Sequence, residues 1–208
     1  MSQAHVSIFM HVSVMFSGGK DSSLSAILLE PFFDVELVTC SFFLVSVEEV
    51  AARTAENLGF SHRVIRPDIS VLEKAYEMVM QDGFPKNAIN LIHKSAIEYL
   101  VSDERVAYVA DGTRRDDRVP VLEMPDIRSI EDRHRVQYMC PLRGFGRAAV
   151  NELVKQHLVI EEGLSEDVIK ADYETELREM ITQRHGPLKV KELFPVHVQS
   201  QVISRSKA

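Results

Sequence analysis

Cysteine is scarce in this chain, with two among 208 residues. That count excludes a disulfide-stapled scaffold and a four-cysteine zinc site. Positive charge is also short: 24 Lys and Arg stand against 31 Asp and Glu, for a formal net charge of −7. Attachment to nucleic acid by blanket electrostatics does not fit that balance, although a local basic patch does. No apolar run is long enough to span a bilayer. The opening Met1-Ser-Gln-Ala-His-Val6 lacks the basic-then-apolar layout of a secretory signal. There is no internal repeat, low-complexity tract or clear linker. What is present is an ordinary globular composition, 45% hydrophobic and 26% charged. It suffices for one domain with a full core and a small appendage. A soluble, cytoplasmic protein without a membrane partner is expected.

Apolar pattern orders the first half of the chain. Val12–Phe16 is a short β-branched and aromatic run ending in Ser17-Gly18-Gly19, as a buried strand before a tight turn does. Asp21-Ser22-Ser23 is placed to cap a helix carrying Leu24, Ile27 and Leu28. Val35–Phe43 reads as a second strand. Ser46 and Glu49 have capping-box spacing ahead of a helix that Gly59 stops. His62–Ile65 reads as a third strand, and Ser70 with Glu73 as a second capping box. Ile89, Ile92, Ala96, Ile97 and Leu100 mark another helix, and Val106–Ala110 a fourth strand. Strands alternating with helices of this length predict an α/β fold with a doubly wound, mostly parallel sheet. Ligands in such sheets sit at the carboxyl ends of the strands, where strand order reverses. Beyond residue 113 the pattern loosens. A helix around Ala148–Leu158 and a last one from Ser165 to about Arg184 are expected, with Val196–Ala208 as a strand or a loose arm.

The chemistry concentrates in Ser17-Gly18-Gly19-Lys20-Asp21-Ser22-Ser23. Glycines let a backbone turn sharply and approach a ligand. The free N–H groups and dipole of the following helix favour phosphate. The hydroxyls of Ser17, Ser22 and Ser23 add donors, and Lys20 adds charge. The spacing is neither G-x-x-x-x-G-K-[ST] nor G-x-G-x-x-G. Asp21 inside a phosphate cradle would repel its ligand unless a cation lay between, so the motif itself points to Mg²⁺. A capped Ser/Gly turn without a ligand is the plainer account of these residues. It is weakened by all seven falling between a strand and a helix.

SGGKDSS resembles the S-G-G-x-D-S signature of the PP-loop ATP pyrophosphatases, the adenine nucleotide alpha-hydrolase-like superfamily. The resemblance implies a Rossmann-like sheet that binds ATP and cleaves it between the α- and β-phosphates. AMP goes to a substrate oxygen and is then displaced by nitrogen or sulfur. Asp111-Gly-Thr-Arg-Arg-Asp-Asp117, after the fourth strand, is similar to the D-G-T-N-x-D-D stretch of sulfur-handling members, with Arg114 where those often carry Asn. Met139-Cys140-Pro-Leu142 is similar to their S-P-L segment. The likeness covers roughly residues 12–158.

Other groupings are weaker. Cys40 and Cys140 suggest a persulfide relay, but Cys40 lies in an apolar strand where free cysteine usually packs. The eight histidines show no metal-ligand spacing. Residues 114–147 hold eight Arg, no Lys and six acids. Such a segment suits anionic substrate or RNA phosphate, and equally a solvated loop of mixed charge.

The expected assignment is therefore specific. Residues 1–160 form the ATP-binding domain and 161–208 a helical extension and tail. Ser17, Gly18, Gly19, Lys20, Asp21, Ser22 and Ser23 hold ATP phosphates, with Asp111, Gly112 and Thr113 as the opposite wall. Adenine lies near Ser41 and Phe42. Asp21, Asp116 and Asp117 hold Mg²⁺; Lys20, Asp21 and Cys140 are the catalytic candidates. Expected partners are an acceptor (tRNA or a small molecule), a sulfur- or ammonia-donor protein and a second copy in a homodimer. The alternative is a non-catalytic ATP-binding regulator or a subunit of a larger amidotransferase or thiolase complex.

Overall fold

Strand and helix alternate from Met10 to His157, with two helices between the third and fourth strands, in the computed structural model, which describes residues 10–165 and 170–206. The elements are β1 (Met10–Met15), α1 (Lys20–Leu29), β2 (Phe33–Cys40), α2 (Val47–Leu58), β3 (Ser61–Ile65), α3 (Ile69–Asp82), α4 (Lys86–Val101), β4 (Tyr108–Ala110), α5 (Met124–His134), β5 (Gln137–Met139) and α6 (Arg147–His157). The five strands form one parallel sheet in the order β3-β2-β1-β4-β5. Order therefore reverses between β1 and β4. After them come β6 (Leu158–Leu164), α7 (Tyr173–His185), α8 (Pro187–Leu193) and β7 (Val198–Arg205). β6 and β7 make a separate antiparallel pair.

Side-chain alternation along the strands builds a core on each face. Val12 and Val14 of β1 join Val35 and Leu37 of β2 against α1, α2 and α6. Met15 of β1 and Val38 and Cys40 of β2 point to the other face, covered by α3, α4, α5, α7 and α8. This is the Rossmann-like, doubly wound α/β arrangement expected, here wholly parallel in its main sheet.

Several details differ from expectation. The sequence marks neither α5, β5, β6 nor α8; β5, no longer than β4, lacks the apolar run that marks β4. The helix expected from Ser165 begins at Tyr173, capped by Asp172, which accepts from the Thr175 N–H at 3.0 Å. Residues 166–169 of that expectation, and 207–208 of the tail, lie outside the described residues. Leu158, expected at the end of the helix, opens β6. The tail is a strand over 198–205, so the helical extension also carries a strand pair. Neither capping box forms as expected. Ser46 makes no side-chain cap bond, and the α3 cap is Asp68, which accepts from the Ser70 N–H at 2.8 Å. No helix among the described residues is long and apolar enough to cross a membrane.

Candidate functional site

β1 ends at the switch point and hands the chain to the Ser17–Ser23 bend. The Phe16 N–H donates to the Val38 carbonyl at 2.8 Å, holding the bend's entrance to β2. Gly18 takes φ +74°, a left-handed conformation that side chains other than glycine's adopt with strain. Gly19, not Asp21, is the N-cap; α1 starts one residue later at Lys20, and Asp21 stands in its first turn. The N–H groups of Lys20, Asp21 and Ser22 precede the first backbone bond of the helix, which the Ser23 N–H makes to the Gly19 carbonyl at 3.2 Å, and the positive end of the dipole lies there. The Ser22 and Ser23 hydroxyls turn back to donate to the Gly19 carbonyl at 3.2 and 2.8 Å. The carbonyls of Ser17 and Gly18 are tied by N–H groups from the far end of the chain, Ala171 at 3.2 Å and Val202 at 3.0 Å.

The stretch after β4 lies directly against this bend, as expected. A Cβ on Gly112 would come within 2.6 Å of the Ser22 nitrogen, so only glycine permits the approach. Thr113 is buried beside it. Asp111 is 2% exposed. Its carboxylate accepts from His93 Nε2 at 3.0 Å, the Thr113 N–H at 3.0 Å, the Cys140 thiol at 3.4 Å and the Tyr138 hydroxyl. Burial pushes its pKa up, but the bonds from His93, Tyr138 and Thr113 prevail and hold it down at about 2. Asp111 therefore braces the wall from within. His93 joins it to the Tyr173 hydroxyl of α7 at 3.1 Å.

The three acids assigned to metal converge on one guanidinium. Asp117 accepts from the Arg114 N–H at 2.8 Å, its Nε at 3.0 Å and its Nη2. Asp116 Oδ1 lies 3.8 Å from Arg114 Nε, and its Oδ2 accepts from the Arg147 N–H at the start of α6 at 2.9 Å. Asp21 Oδ2 is 3.7 Å from Arg114 Nη1 and 3.5 Å from Lys20 Nζ. Asp21 Oδ1 and Arg114 Nη1 are buried without a hydrogen-bond partner. An orphaned hard oxygen at a phosphate-type bend fits Mg²⁺, which takes one or two protein carboxylates and fills its shell with water and phosphate. Among the described residues no group of three or more His, Cys, Asp or Glu is arranged as a metal cage.

Burial works against a thiolate at both cysteines. Burial, with the Asp111 carboxylate, pushes the Cys140 thiol up to about 12 despite Arg143 nearby. Cys40 is 4% exposed and packs in the core. Burial raises its pKa also, with Glu176 adding to the effect.

At the end of β2, Ser41 and Phe42 meet α7. The buried Glu176 carboxylate accepts from the Phe42 N–H at 3.0 and 2.9 Å, the Leu44 N–H at 3.0 Å and the Ser41 hydroxyl at 3.4 Å. The Phe42 N–H is therefore engaged by the chain itself. Sequence reasoning missed Glu176, His93 and Lys170. Only His93 leaves a trace, as a polar residue on the apolar face of α4 formed by Ile89, Ile92 and Ala96. Lys170 Nζ stands 3.0 Å from where a Gly19 Cβ would be.

Fold and site define a Rossmann-like α/β protein with a glycine bend and helix N-terminus at its switch point. The chain belongs to the family described as a family of unknown function, DUF7411, whose model matches residues 10–204. It is 40% identical over 200 residues to an uncharacterized protein of Methanocaldococcus jannaschii, covering 95% of this chain and 98% of that one. A crystal structure of a predicted subunit of tRNA methyltransferase from the same organism superposes with a TM-score of 0.87. It shares 39% identity over 95% of this chain and 98% of that one. The U34-tRNA thiolase NcsA from Methanococcus maripaludis reaches a TM-score of 0.42 at 12% identity, over 92% of this chain and 73% of that one. A superposition that loose carries no functional argument.

Proposed function

We propose that the protein is a PP-loop ATP pyrophosphatase. It binds ATP over residues 17–23 with Mg²⁺ and cleaves it to AMP and pyrophosphate, activating an acceptor for nitrogen or sulfur transfer. One observation carries the reading: the bend lies at the reversal of strand order, with Gly18 left-handed and Gly112 in glycine-only contact with the first turn of α1.

Ser17, Gly18 and Gly19 bind phosphate oxygens in this reading, and the Ser22 and Ser23 hydroxyls join them by turning away from the Gly19 carbonyl. Lys20 steadies the departing pyrophosphate, and Asp21 offers its orphaned Oδ1 to the metal. Mg²⁺, when bound, supplies charge neutralisation for the leaving group. Asp116 and Asp117 join Asp21 only after Arg114 withdraws. Asp111, Gly112 and Thr113 keep the opposite wall rigid, a positioning contribution of the kind that dominates phosphoryl transfer. A substrate oxygen attacks the α-phosphorus as the bond to pyrophosphate breaks, and the nitrogen or sulfur nucleophile then displaces AMP. The base rests beside Ser41 and Phe42 with Glu176 retained. Cys140 enters as a thiol, so a sulfur step on it first requires release from Asp111.

The acceptor favoured is tRNA, because a relative covering nearly the whole chain is described as a predicted subunit of tRNA methyltransferase. A sulfur- or ammonia-donor protein, a homodimer and a cytoplasmic setting complete the proposal. Residues 161–208 serve it as part of the site, since Ala171 and Val202 hold the bend. The test is ATP labelled at the α-phosphate, incubated with Mg²⁺ and total tRNA. Wild type yields labelled AMP and Asp21→Ala does not; ADP as the product overturns the reading.

One observation favours the alternative of a nucleotide-binding subunit without chemistry. Asp117 is held by Arg114 and Asp116 by the start of α6, while the Oδ1 of Asp21 is buried without a hydrogen-bond partner. ATP binding without AMP formation for any acceptor would select it.

A further inference from the structure

We infer that Lys170 is a phosphate-binding residue, brought to the bend by the segment before α7 to complete the anion site from outside its own motif. The inference rests on the reading of residues 17–23 as a phosphate site and names a residue that no motif marks.

The position is built. The Ala171 N–H donates to the Ser17 carbonyl at 3.2 Å, fixing the backbone beside Lys170 to the bend. A Cβ on Gly19 would stand 3.0 Å from Lys170 Nζ, 3.2 Å from its Cε and 3.4 Å from Ser17 Oγ. The ammonium thus lies over the N-cap of α1, on the side where Ser17 presents its hydroxyl.

The charge balance there is poor without a ligand. The Lys170 side chain is 15% exposed, and the carboxylate paired with it is Asp172 Oδ2 at 4.0 Å. That carboxylate is shared: Oδ1 accepts from the Thr175 N–H and hydroxyl at 3.0 Å, and Oδ2 from Gln199 Nε2 at 3.3 Å. Lys20, equally withdrawn, has Asp21 Oδ2 at 3.5 Å. Two ammonium groups mostly removed from water belong to the residues around this helix start, each paired with one shared carboxylate at no closer than 3.5 Å. An anion with several oxygens, the chemistry of a polyphosphate, gives both a closer acceptor.

The test uses the full chain as wild type, Lys170→Met and Lys170→Arg. Each is titrated calorimetrically with Mg·ATP, adenosine and inorganic tripolyphosphate, with the unliganded melting temperature measured in parallel. Lys170→Met keeps the aliphatic stem. It should bind ATP and tripolyphosphate about tenfold or more weakly, the scale of one charge-assisted contact. Adenosine binding should hold, Lys170→Arg should recover most of the loss, and the unliganded melting temperature should stay or rise. Equal loss of adenosine and ATP, a fall in melting temperature, or unchanged tripolyphosphate binding overturns the inference. Wild type binding tripolyphosphate but not ATP ends the ATP reading and leaves Lys170 to be judged on the anion alone. Wild type binding neither ends both.

Discussion

Asp111 stands beside the bend, buried under four hydrogen-bond donors. Its position beside the bend follows from its following a strand. Its four hydrogen-bond donors come from α4, β5 and the loops after β4 and β5, which no local pattern connects. With a native pKa near 2, against an ordinary value of 3.8, its carboxylate stabilises the fold above pH 4. That share, about 2 kcal/mol, is lost as pH falls toward 2. Asp111→Asn should therefore lose stability at pH 5 in urea unfolding and show a flatter decline between pH 4 and pH 2; a parallel decline would refute the assignment. Glu176 acts in the opposite sense. Burial raises its pKa against the N–H groups of Phe42 and Leu44 and the Ser41 hydroxyl. Protonation thus favours the fold at low pH, and that share disappears as pH rises through the raised value.

Gly112 supplies a second residue-scale test. A methyl group there meets backbone of α1 at 2.6 Å, whereas one on Gly144 meets nothing within 4 Å. Gly112→Ala should cost about 1–3 kcal/mol and abolish ATP binding, because the wall or the bend must shift. Gly144→Ala should stay within about 0.5 kcal/mol of wild type. Equal melting temperatures for the two variants would show that the close approach does not matter.

At the scale of elements, legibility followed length and period. β1, β2, α2 and α4 are visible because each repeats its apolar residues over several turns or pleats, and α1, buried on most sides, is visible from the bend that opens it. The Ser17–Ser23 bend was visible because its residues are contiguous. β5, α5 and the β6–β7 pair were not. β5, no longer than β4, lacks the apolar run Val106–Ala110 that marks β4, and β6 is mostly solvated. The pairing of β6 with β7 joins residues some forty positions apart. The contacts of Lys170, Ala171 and Val202 with the bend are long-range in the same way. β7 can be tested through Val202, which is 1% exposed and whose N–H reaches the Gly18 carbonyl at 3.0 Å. Val202→Pro removes that donor and should destabilise the protein by about 3 kcal/mol. It should also weaken ATP binding beyond what the lost stability explains at temperatures where the variant remains folded. Full affinity in the folded variant would show that the bend holds itself.

At the scale of the whole molecule, charge limits how an RNA acceptor is gripped. A net charge of −7 opposes a wide footprint on a polyanion. The Arg-rich stretch 114–147 is the local exception. Arg118, Arg128, Arg135 and Arg147 are exposed there, as is Phe145 at 39%. Arg114 is engaged by acids, and Arg133 pairs with Glu98 at 2.7 Å, so neither counts toward a footprint. About three to five phosphates are then within reach. The logarithm of tRNA affinity should fall against the logarithm of salt with a slope of about −2 to −4. Arg118→Ala and Arg147→Ala should each make the slope shallower by about 1. ATP binding should tolerate the loss of Arg118. A slope near zero, or one steeper than about −6, would place the contact surface elsewhere. On the proposed function, the shallow slope expected makes recognition depend on the few bases and phosphates that reach the carboxyl edge of the sheet, beside the bend proposed to activate the acceptor.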